Sequence, residues 1–365
     1  MKKKIFIIII GIIGVLVINY LKPNASEQET ETENSENILK LESSNNENIN
    51  TMEDKKNQPS QSDKVTIGFY NVENLFDIYD DPQTNDNDFT PYGDLSWNET
   101  RYQQKLEDIS KVIVDFDENK GPAFLGLAEV ENFEVLQDLI KTGKLKNSPY
   151  QIIHRDNNDT RGIDVAAIYR SDIFEKVDYN YYTIPKLHTR DILHVEGKLF
   201  DQSIIHYFVV HFPSRRKGTN ETEYKRIQVA KILREKIDNL LDKNQNENII
   251  IMGDFNDEPS NQSVQKHIMK DDFYNLHRRF EDKSTGTVNH QGEWLVFDQI
   301  IVSKSLLEDK TYNITKKSGF IYDDESVTFT YYDGNKVPSR TYGGTKYHGG
   351  TSDHYATYLK MTVKH

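Results

Sequence analysis

The sequence predicts an α/β domain over residues 64–365. Short apolar runs rich in Ile, Val, Phe and Tyr alternate in this region with longer stretches of helical periodicity. Hydrophobic residues make up only 36% of the chain, but much of this deficit lies before residue 64. Strands and helices mixed over this length, without an internal repeat, indicate one domain with a large core.

The elements of this domain follow from their periodicity. The predicted strands cover residues 65–70, 124–129, 150–154, 164–169, 192–200, 203–211, 248–254, 294–302 and 354–363. The predicted helices cover residues 99–116, 133–141, 221–241 and 260–269. In the third helix, apolar residues between Ile227 and Leu240 recur on one face with charged residues opposite, which is typical of a helix packed on a core.

The N-terminal residues predict export. Three lysines at residues 2–4 precede an almost unbroken apolar run over residues 5–21, as in a signal peptide or an N-terminal membrane anchor. The run is slightly shorter than the roughly 20 residues of a spanning helix. Residues 24–26, Asn-Ala-Ser, form only a weak cleavage site, which slightly favours an uncleaved anchor. We predict a signal peptide or anchor over residues 1–21, in a protein held at the cell envelope or secreted.

Residues 22–63 are predicted to form a disordered acidic and polar linker. They contain few aliphatic residues, no aromatic residues and many Glu, Asn and Ser. Such a segment buries too little apolar surface to offset the entropy lost when a chain becomes ordered.

Cysteine content and charge narrow the function classes. The chain has no cysteine, which excludes disulfides, cysteine–zinc sites, thiol nucleophiles and lipid attachment through an N-terminal cysteine. Its net charge is −13; residues 1–63 contain 7 Lys and 10 Asp or Glu, a net of −3, so residues 64–365 carry −10. Nonspecific nucleic-acid-binding proteins usually have a basic surface. An acidic enzyme still hydrolyses phosphate esters when metal ions supply local positive charge, so the charge weakens a nucleic-acid function without excluding it.

Polar residues cluster at the ends of the predicted strands, where loops on a rigid scaffold usually carry chemistry. Asn71 follows the first strand; its amide oxygen can bind a hard cation, although asparagine is also a common turn residue there. Glu129 ends an apolar strand, where an ionised carboxylate is costly unless it is paired or binds a metal. The alternative for Glu129 is an ordinary salt bridge.

Two further strand ends carry candidate groups. His211 ends an apolar strand and is followed by Arg215; a histidine beside arginine suits the stabilisation of a phosphate oxyanion, and the alternative is a structural histidine. Asp254 and Asn256 follow Gly253 at the end of another apolar strand. If that strand continues, alternation places both on one face. An acid that moves a proton beside an amide that holds an oxyanion would form a hydrolytic pair.

The C-terminal part adds three more candidates. Asp298 lies inside an apolar segment and is predicted to hold a histidine ring and stabilise its cation, as a carboxylate does in other histidine-based sites. Asp353 and His354 are adjacent in a predicted strand, so their side chains should point to opposite sides and serve different edges of one site.

Taken in order, these motifs resemble those of the endonuclease/exonuclease/phosphatase superfamily, whose members look like deoxyribonuclease I. The matching pieces are Tyr70-Asn71-Val72, Ala128-Glu129, Val209-Val210-His211, Gly253-Asp254-Phe255-Asn256, Phe297-Asp298-Gln299-Ile300 and Ser352-Asp353-His354. They span residues 70–354, and the Gly-Asp-Phe-Asn and Ser-Asp-His pieces are the specific ones. The resemblance implies a four-layer α/β/β/α sandwich of two packed mixed β-sheets with outer helices.

The resemblance also implies a role for each residue. Asn71 and Glu129 would bind Mg²⁺ or Mn²⁺, with Asp353 close to the same metal. Asp254 would orient or deprotonate the attacking water, and Asn256 would hold a phosphate oxygen.

The two histidines complete the implied mechanism. His354, oriented by Asp298, would be the base or a phosphate-binding group. His211 would stabilise the developing charge or protonate the leaving oxygen. Direct in-line attack by water is expected, without a phosphoryl-enzyme, and the metal would act as Lewis acid and template.

Other candidates lie outside these matches. Asp164 begins a strand and is a hypothesis for the group that orients His211. Arg161, Arg190 and Arg215 are hypotheses for phosphate contacts, the alternative being exposed arginines without a ligand. The acidic loop over residues 77–94 raises Ca²⁺ as another ion, but it lacks EF-hand spacing, so a solvated loop is the favoured interpretation.

We expect an extracytoplasmic nuclease acting on DNA or RNA. The alternative is a phosphatase or phospholipase C-like enzyme acting on inositol phosphates or sphingomyelin, although the Gly-Asp-Leu-Asn and Cys-Asp-Arg stretches of the inositol 5-phosphatase relatives are absent. A third hypothesis, an inactive binding module, is disfavoured because every expected catalytic residue type is present. The expected partners are a nucleic acid substrate and, if residues 5–21 stay uncleaved, the membrane. We expect a monomer and infer no protein partner.

Overall fold

The computed structural model of the protein describes residues 62–117, 120–281 and 284–365. The predicted signal peptide or anchor and the predicted linker up to residue 61 lie outside these ranges. Ser62 and Asp63, the last two residues of that linker, already pair with the C-terminal strand, so the first described strand begins two residues before the predicted start of the domain. No helix within the described ranges is long and apolar enough to cross a bilayer.

Two large mixed sheets form the centre of the fold. The strands are β1 (Ser62–Leu75), β2 (Phe124–Val130), β3 (Tyr150–Ile153), β4 (Asp164–Arg170), β5 (Phe174–Tyr182), β6 (Ile192–Leu199), β7 (Ile205–His211), β8 (Asn248–Asp254), β9 (Phe273–Asn275), β10 (Val288–His290), β11 (Glu293–Leu295), β12 (Asp298–Ser303), β13 (Tyr312–Asn313), β14 (Gly319–Tyr322), β15 (Thr328–Thr330), β16 (Lys336–Pro338), β17 (Tyr342–Gly343), β18 (Lys346–Tyr347) and β19 (Ala356–Lys364). The first sheet has the order β13-β19-β1-β2-β4-β3, with β14 also on β19, and the second has the order β5-β6-β7-β8-β12-β9. β1 is parallel to β2 and β7 is parallel to β8, whereas their other neighbours are antiparallel.

The inner faces of the two sheets pack against each other. Side-chain alternation places apolar residues of both sheets in one buried cluster, including Ile67 and Phe69 from the first sheet and Val209 and Met252 from the second. The alternate residues of the same strands face outward and form two further buried clusters with the helices.

The helices form the outer layers. They are α1 (Glu99–Asp115), α2 (Phe133–Ile140), α3 (Thr219–Leu241) and the short α4 (Lys304–Glu308), with a π-helix (Ser263–Met269) and 3₁₀ turns (Asn87–Phe89, Leu145–Asn147, Arg278–Phe280, Glu325–Val327). α1 and α2 cover the first sheet, and α3 covers the second. Asn98 and Asn132 cap α1 and α2 by accepting backbone hydrogen bonds. The predicted four-layer α/β/β/α sandwich is confirmed.

Some predicted elements were wrong. The predicted strand over residues 294–302 is two strands, because β11 pairs with β10 whereas β12 pairs with β8 and β9. The predicted strand over residues 354–363 begins only at Ala356, and the predicted helix over residues 260–269 is the shorter π-helix. β5 escaped prediction because it is an edge strand with mostly exposed residues.

Gly126 allows close approach of the two sheets. A Cβ atom on this inner-face residue would lie 2.9 Å from a Val209 methyl carbon and 3.1 Å from Met252 Sδ. Gly68, in the neighbouring strand, faces the helical layer instead. A Cβ atom there would lie 3.0 Å from Leu125 Cδ1 and 3.2 Å from a ring carbon of buried Phe116.

We expect Gly126→Ala to lower the free energy of unfolding by about 1–3 kcal/mol, the usual cost of overpacking a core. Val209 is β-branched and lies on a central strand, so it has little freedom to move away. Gly68→Ala is the comparison and should cost less, because its contacts begin at 3.0 Å and involve the end of the longer Leu125 side chain rather than a β-branched residue. Urea unfolding followed by circular dichroism compares the two; a larger loss for Gly68→Ala would contradict this account of the sheet packing.

Candidate active site

Polar side chains line one end of the inter-sheet core. Asn71, His211, Asp254 and Asp298 continue the inward-facing rows of β1, β7, β8 and β12, and all four are buried. The strand ladders pair Asp254 directly with both His211 and Asp298. Charged and polar groups therefore replace aliphatic ones at this end of the core.

Asp254 lies at the centre of this site. Its Oδ2 accepts a hydrogen bond from Asn71 Nδ2 at 3.1 Å. The same oxygen is 3.5 Å from His211 Nε2 and 3.9 Å from His354 Nε2. Burial raises the pKa of Asp254 to about 7, opposed by the positive charge of His354 and reinforced by the negative charge of Asp298. A carboxyl group that exchanges its proton near neutral pH suits a general base.

His354 is paired with Asp298. Its Nδ1 lies 2.8 Å from Asp298 Oδ2, and Asp298 is fully buried. Burial alone disfavours the cation, but the charge and hydrogen bond of Asp298 override it and raise the pKa of His354 well above its usual range. His354 is therefore a cation at neutral pH, and its Nε2 faces the side of Asp254. A fixed cation at this position can bind a phosphate oxygen.

His211 has the opposite charge state. Burial, followed by the positive charges of Arg190 and Arg161, lowers the pKa of His211 well below its usual range. Its Nδ1 is buried without a hydrogen-bond partner, and its Nε2 is 3.9 Å from Glu129 Oε1. A neutral imidazole donates a hydrogen bond to an oxyanion but is a poor proton source. Of its two predicted roles, this favours stabilisation of developing charge.

Glu129 reaches the site through a break in β2. The pairing of β2 with β4 shifts register between Ala128 and Val130, and Glu129 has a left-handed φ of 62°. Such a bulge redirects a side chain that regular alternation would send to the other face. Glu129 Oε2 accepts a hydrogen bond from the backbone N–H of Asn74 at 3.1 Å, and its Oε1 faces His211.

The donor set fits a divalent metal ion. Asn71 Oδ1 accepts one hydrogen bond, from the Glu73 N–H at 3.0 Å, which fixes the amide orientation and leaves one lone pair. Glu129 Oε1 is too far from His211 Nε2 for a hydrogen bond. Amide and carboxylate oxygens are the ligands that Mg²⁺ and Mn²⁺ prefer, and the nearby carboxylates of Asp254 and Asp353 would attract a cation. The residues present therefore suit the metal that the resemblance implies.

Asn256 does not share a strand face with Asp254. β8 ends at Asp254, and Asn256 adopts a left-handed φ of 47°. Its Nδ2 donates to the Phe212 carbonyl at 3.0 Å, and its backbone N–H donates to Asp254 Oδ1 at 2.8 Å. Asn256 thus holds Asp254 and the chain after His211 in place. The second hydrogen on Nδ2 can still donate to a phosphate oxygen, so that contact stays a prediction.

Asp353 and His354 lie in the loop before β19, not in a strand. Asp353 Oδ2 is 2.7 Å from Arg340 Nη2, and its Oδ1 is 3.8 Å from His354 Nε2. Ser352 Oγ donates to the Asn71 carbonyl at 2.7 Å and accepts the His354 N–H at 3.1 Å. Hydrogen bonds to β1, rather than a strand ladder, therefore position this motif.

Two of the predicted phosphate arginines have protein partners. Arg190 is 5% exposed; its Nη1 lies 3.0 Å from Asp159, and its Nη2 donates to a backbone carbonyl. Arg215 Nη2 lies 2.7 Å from Asp257, and its Nε donates to the Asn256 carbonyl at 2.7 Å. Because a buried charge is costly without a partner, the contacts of Arg190 are structural, and its interpretation as a phosphate contact was wrong. The Arg215 side chain is 19% exposed, so a phosphate contact by Arg215 stays a prediction.

Arg161 lies in an open cleft. Its side chain is 35% exposed, and its Nε is 3.7 Å from Asp159. It lines a cleft of about 530 Å³ together with Arg216 and Arg340, two arginines that the sequence prediction did not select. Phosphate contact by Arg161 stays a prediction, and Arg340 lies in the same cleft beside Asp353.

The prediction that Asp164 orients His211 was wrong. Asp164 Oδ2 lies 2.9 Å from His154 Nε2, and its Oδ1 accepts the Asn157 N–H at 3.2 Å. Burial raises the pKa of Asp164 to about 6, against the effect of the His154 hydrogen bond. The Asp164 carboxylate therefore contacts His154, which follows the neighbouring strand β3, and not His211.

Sequence reasoning missed a buried cluster beside the site. Lys105 Nζ donates to the carbonyls of Glu73 and Thr351 at 2.9 and 2.7 Å, and Glu73 Oε2 accepts the Thr341 N–H at 2.6 Å. Burial and the charge of Asp353 raise the pKa of Glu73 to about 7, while Lys105 opposes the shift. These contacts fix β1 to the segment that precedes His354. The available signal was Glu73 itself, a carboxylate two residues after Asn71.

The acidic loop over residues 77–94 uses its carboxylates locally. Asp77 Oδ1 accepts the Tyr79 N–H at 2.7 Å, and Asp81 Oδ1 accepts the Gln83 N–H at 2.9 Å. These are turn-capping contacts. Binding of Ca²⁺ to this loop stays a prediction.

Comparisons with known proteins agree with the fold and the motifs. A sequence model described as the Endonuclease/Exonuclease/phosphatase family matches residues 66–363. A solved protein of that family from Bacteroides thetaiotaomicron is 18% identical, with a TM-score of 0.53 over 84% of this chain and 97% of that chain. A humanized D. rerio TDP2 is 14% identical, with a TM-score of 0.54 over 82% and 98%. A mannosyl-6-phosphatase from Bacteroides thetaiotaomicron is 17% identical, with a TM-score of 0.50 over 81% and 99%. No curated protein matches the chain.

The raised pKa of Asp254 predicts an acid limb in the pH–rate profile. A general base must be ionised, so kcat should fall tenfold per pH unit below a pKa of about 7 and reach a plateau above it. A bound cation favours the carboxylate, so saturating Mg²⁺ should move the limb to lower pH. Asp254→Asn should lower kcat by about 10²–10⁴ and abolish this limb. An unchanged profile in Asp254→Asn would contradict the assignment.

Asp298→Asn tests the source of the His354 charge. The variant keeps the shape of the side chain but removes its charge, so the pKa of His354 should fall towards its usual value. Because the cation is needed, activity of the variant should be lost as pH rises through the lowered pKa, whereas the wild type keeps its activity. We expect a loss of about 10²–10³ in kcat, as for removal of one oxyanion donor.

NMR titration of the imidazole, alongside kcat, checks this prediction. Asp178→Asn, on the exposed edge strand β5, is the control and should change neither. A His354 that still titrates well above its usual range in Asp298→Asn would contradict the pairing.

Proposed function

This chain belongs to the endonuclease/exonuclease/phosphatase family, whose members are metal-dependent hydrolases acting on ester bonds, and we propose that it hydrolyses phosphodiester bonds of nucleic acid outside the cytoplasm. The proposal rests on how the candidate active site meets the surface of the domain.

Asn71 and Glu129 would be the metal ligands of the site, with Asp353 close by. A divalent ion there would act as Lewis acid and template for the phosphate. We propose Mg²⁺, or Mn²⁺ in its place, because the donors are amide and carboxylate oxygens rather than nitrogen or sulfur.

Asp254 would act as the general base. The attacking water gives its proton to the carboxylate, and its oxygen forms a bond to phosphorus while the bond to the leaving oxygen breaks. The leaving oxygen takes the electron pair of that bond and is protonated by solvent. The carboxylate suits this step because its pKa of about 7 lets it accept a proton near neutral pH.

The two histidines would bind the phosphate in different ways. The His354 cation provides a charge-assisted hydrogen bond, and neutral His211 provides an uncharged one on the other side of Asp254. Because both rings are held before the substrate arrives, they lose little freedom when charge develops.

The observation that favours a diester is that two cavities meet at Asp353, beside the proposed site. The smaller cleft, of about 530 Å³, and a larger one, of about 1270 Å³, are both lined by Arg340 and Asp353. A phosphate beside Asp353 therefore has room for a substituent on each side. A phosphomonoester needs space on one side only.

The walls of the cavities suit a polynucleotide. Trp294 lines the larger cavity and stacks on buried Tyr355, with ring centroids 5.7 Å apart. A nucleobase can stack on such an aromatic surface. Arg161 and Arg216 line the smaller cleft and would contact a neighbouring phosphate, which supplies positive charge locally on an acidic domain.

A phosphatase or phospholipase C-like activity on inositol phosphates or sphingomyelin is the second candidate. The charge of −10 over residues 64–365 favours it, because a polyanion is repelled by an acidic surface. The similarity to a mannosyl-6-phosphatase extends this alternative to sugar phosphates.

The extracytoplasmic location rests on the three lysines at residues 2–4 and the apolar run over residues 5–21. We propose that this segment directs export and, if it stays uncleaved, holds the protein at the membrane.

A substrate panel tests the proposed function. The full chain, purified in detergent with Mg²⁺, should nick plasmid DNA or cut single-stranded DNA or RNA. Phosphate release from inositol phosphates, mannose 6-phosphate or p-nitrophenyl phosphate, and turnover of sphingomyelin vesicles, should be slower. Chelation of the metal should abolish activity, as should His354→Ala. Rapid hydrolysis of a chromogenic diester without any cleavage of nucleic acid would reject the nuclease proposal.

Trp294→Ala sharpens this test. Loss of one stacking contact should lower the ratio of single-stranded DNA cleavage to chromogenic diester hydrolysis by about tenfold, because stacking contributes roughly 1–3 kcal/mol per base. Tyr332→Ala is the matched control, since Tyr332 is fully exposed and does not line the larger cavity. Equal ratios in the two variants would mean that Trp294 does not contact a base.

A further inference from the structure

A second group of metal-ligating side chains lies on the outer face of the second sheet. His194 and Glu196 are in β6, and His206 is in β7 directly opposite Glu196. All three belong to the outward-facing rows, whereas His211 at the end of β7 faces the inter-sheet core. His206 lies five positions before His211, which corresponds to roughly 16 Å along the strand. The group is therefore distinct from the candidate active site.

The three side chains converge on one point. His194 Nε2 and His206 Nδ1 are 3.0 Å apart, and Glu196 Oε1 is 3.9 Å from the same His206 nitrogen. One ligand atom from each residue lies within 4.8 Å of the others. Ligand atoms on a tetrahedral zinc ion lie roughly 3.3–3.5 Å apart, because the bonds are about 2.0–2.2 Å long. Small side-chain movements would bring the three into this geometry.

The outer nitrogens of both imidazoles are already held. His194 Nδ1 lies 3.2 Å from the Tyr182 hydroxyl, and His206 Nε2 lies 3.4 Å from Glu247 Oε2. Histidine ligands of metal ions usually have their other ring nitrogen held by an oxygen in this way, which fixes the tautomer and the ring orientation.

The hydrogen bonds around the two rings allow both inner nitrogens to face an ion. A neutral imidazole has one N–H and one lone pair, so His194 protonated at Nδ1 and His206 protonated at Nε2 both present a lone pair to the site. In these tautomers the His206 Nε2–H faces Glu247, and the His194 Nδ1–H faces the hydroxyl oxygen of Tyr182, a partly exposed residue whose own hydrogen can reach solvent.

Charge and access also favour a cation. Both rings are buried, and burial disfavours the charged form of an imidazole. Neutral imidazole is the form that binds metal. The carboxylates of Glu196 and Glu247 balance a divalent charge, and their side chains are 27% and 25% exposed, which gives an ion a route from solvent.

We propose that His194, His206 and Glu196 form a second metal site that binds a transition-metal ion of the zinc type, with water as the fourth ligand. Two nitrogen donors and one carboxylate select Zn²⁺ over Mg²⁺, whereas the oxygen donors of the active site have the opposite preference. An ion here would link β6 to β7, and the site lies far from the reacting phosphate.

Metal titration of the full chain tests this site. Zn²⁺ is added in competition with a chromogenic chelator, with Mg²⁺ in excess, and Co²⁺ is used as a spectroscopic probe. The variants are Glu196→Gln and His206→Asn in the proposed site, Glu247→Gln beside it and Glu129→Gln in the active site. Glu175→Gln is the matched control, since Glu175 is an exposed carboxylate on neighbouring β5.

The expected result is a tight Zn²⁺ site that survives in Glu129→Gln and Glu175→Gln but is lost in Glu196→Gln and His206→Asn. Glu247→Gln should weaken it about 10–100-fold, as is typical of groups that orient a ligand. Bound Co²⁺ should show the visible bands of tetrahedral coordination in the wild type but not in Glu196→Gln. Zn²⁺ should raise the melting temperature of the wild type but not of Glu196→Gln.

Glu196 lies at the partly exposed rim of the site. Glu196→Gln is therefore expected to fold and to test the site even if His206→Asn does not fold. Mg²⁺-dependent hydrolysis should stay within twofold of the wild type in Glu196→Gln. Zinc binding that disappears in Glu129→Gln and persists in Glu196→Gln would overturn the proposal, leaving the two imidazoles as a hydrogen-bonded pair.

Discussion

Face-to-face packing of the two sheets determines where the charged groups of this protein lie. The inward rows of β1, β7, β8 and β12 fill the core with aliphatic and aromatic side chains and then end in Asn71, His211, Asp254 and Asp298. Each of these groups is buried because the opposite sheet covers it. A shift of register by one residue in any of these strands would turn its polar group to the helical layer and bring a neighbouring residue, such as Val72 or Val210, into the site.

Burial at this end of the core gives chemically ordinary side chains different charge states. The pKa of Asp254 is raised towards 7, and the lowered pKa of His211 keeps its ring uncharged. His354 is charged because Asp298 compensates for its burial. In water these groups would differ far less, since solvent screens them. The low-polarity surroundings therefore provide an acceptor for a proton, an uncharged donor and a cation within one cleft.

Loops complete what the sheets begin. The segment that carries Asp353 and His354 is held to β1 by Ser352 and by the buried amine of Lys105, and the chain after β8 is braced by Asn256. These contacts place the loop groups against the rigid sheet ends. Two cavities also share Asp353 and Arg340 of this region as lining residues.

The sequence alone determined the family, the α/β class and most strands of the two large sheets, because hydrophobic periodicity and the Gly-Asp-Phe-Asn and Ser-Asp-His motifs are local properties of the chain. Only the tertiary structure decided which groups meet. It assigned Asp164 to His154, gave Arg190 and Arg215 protein partners, and exposed the cluster of His194 and His206. Such pairings depend on strand register and sheet packing between residues distant in sequence, which a local pattern does not contain.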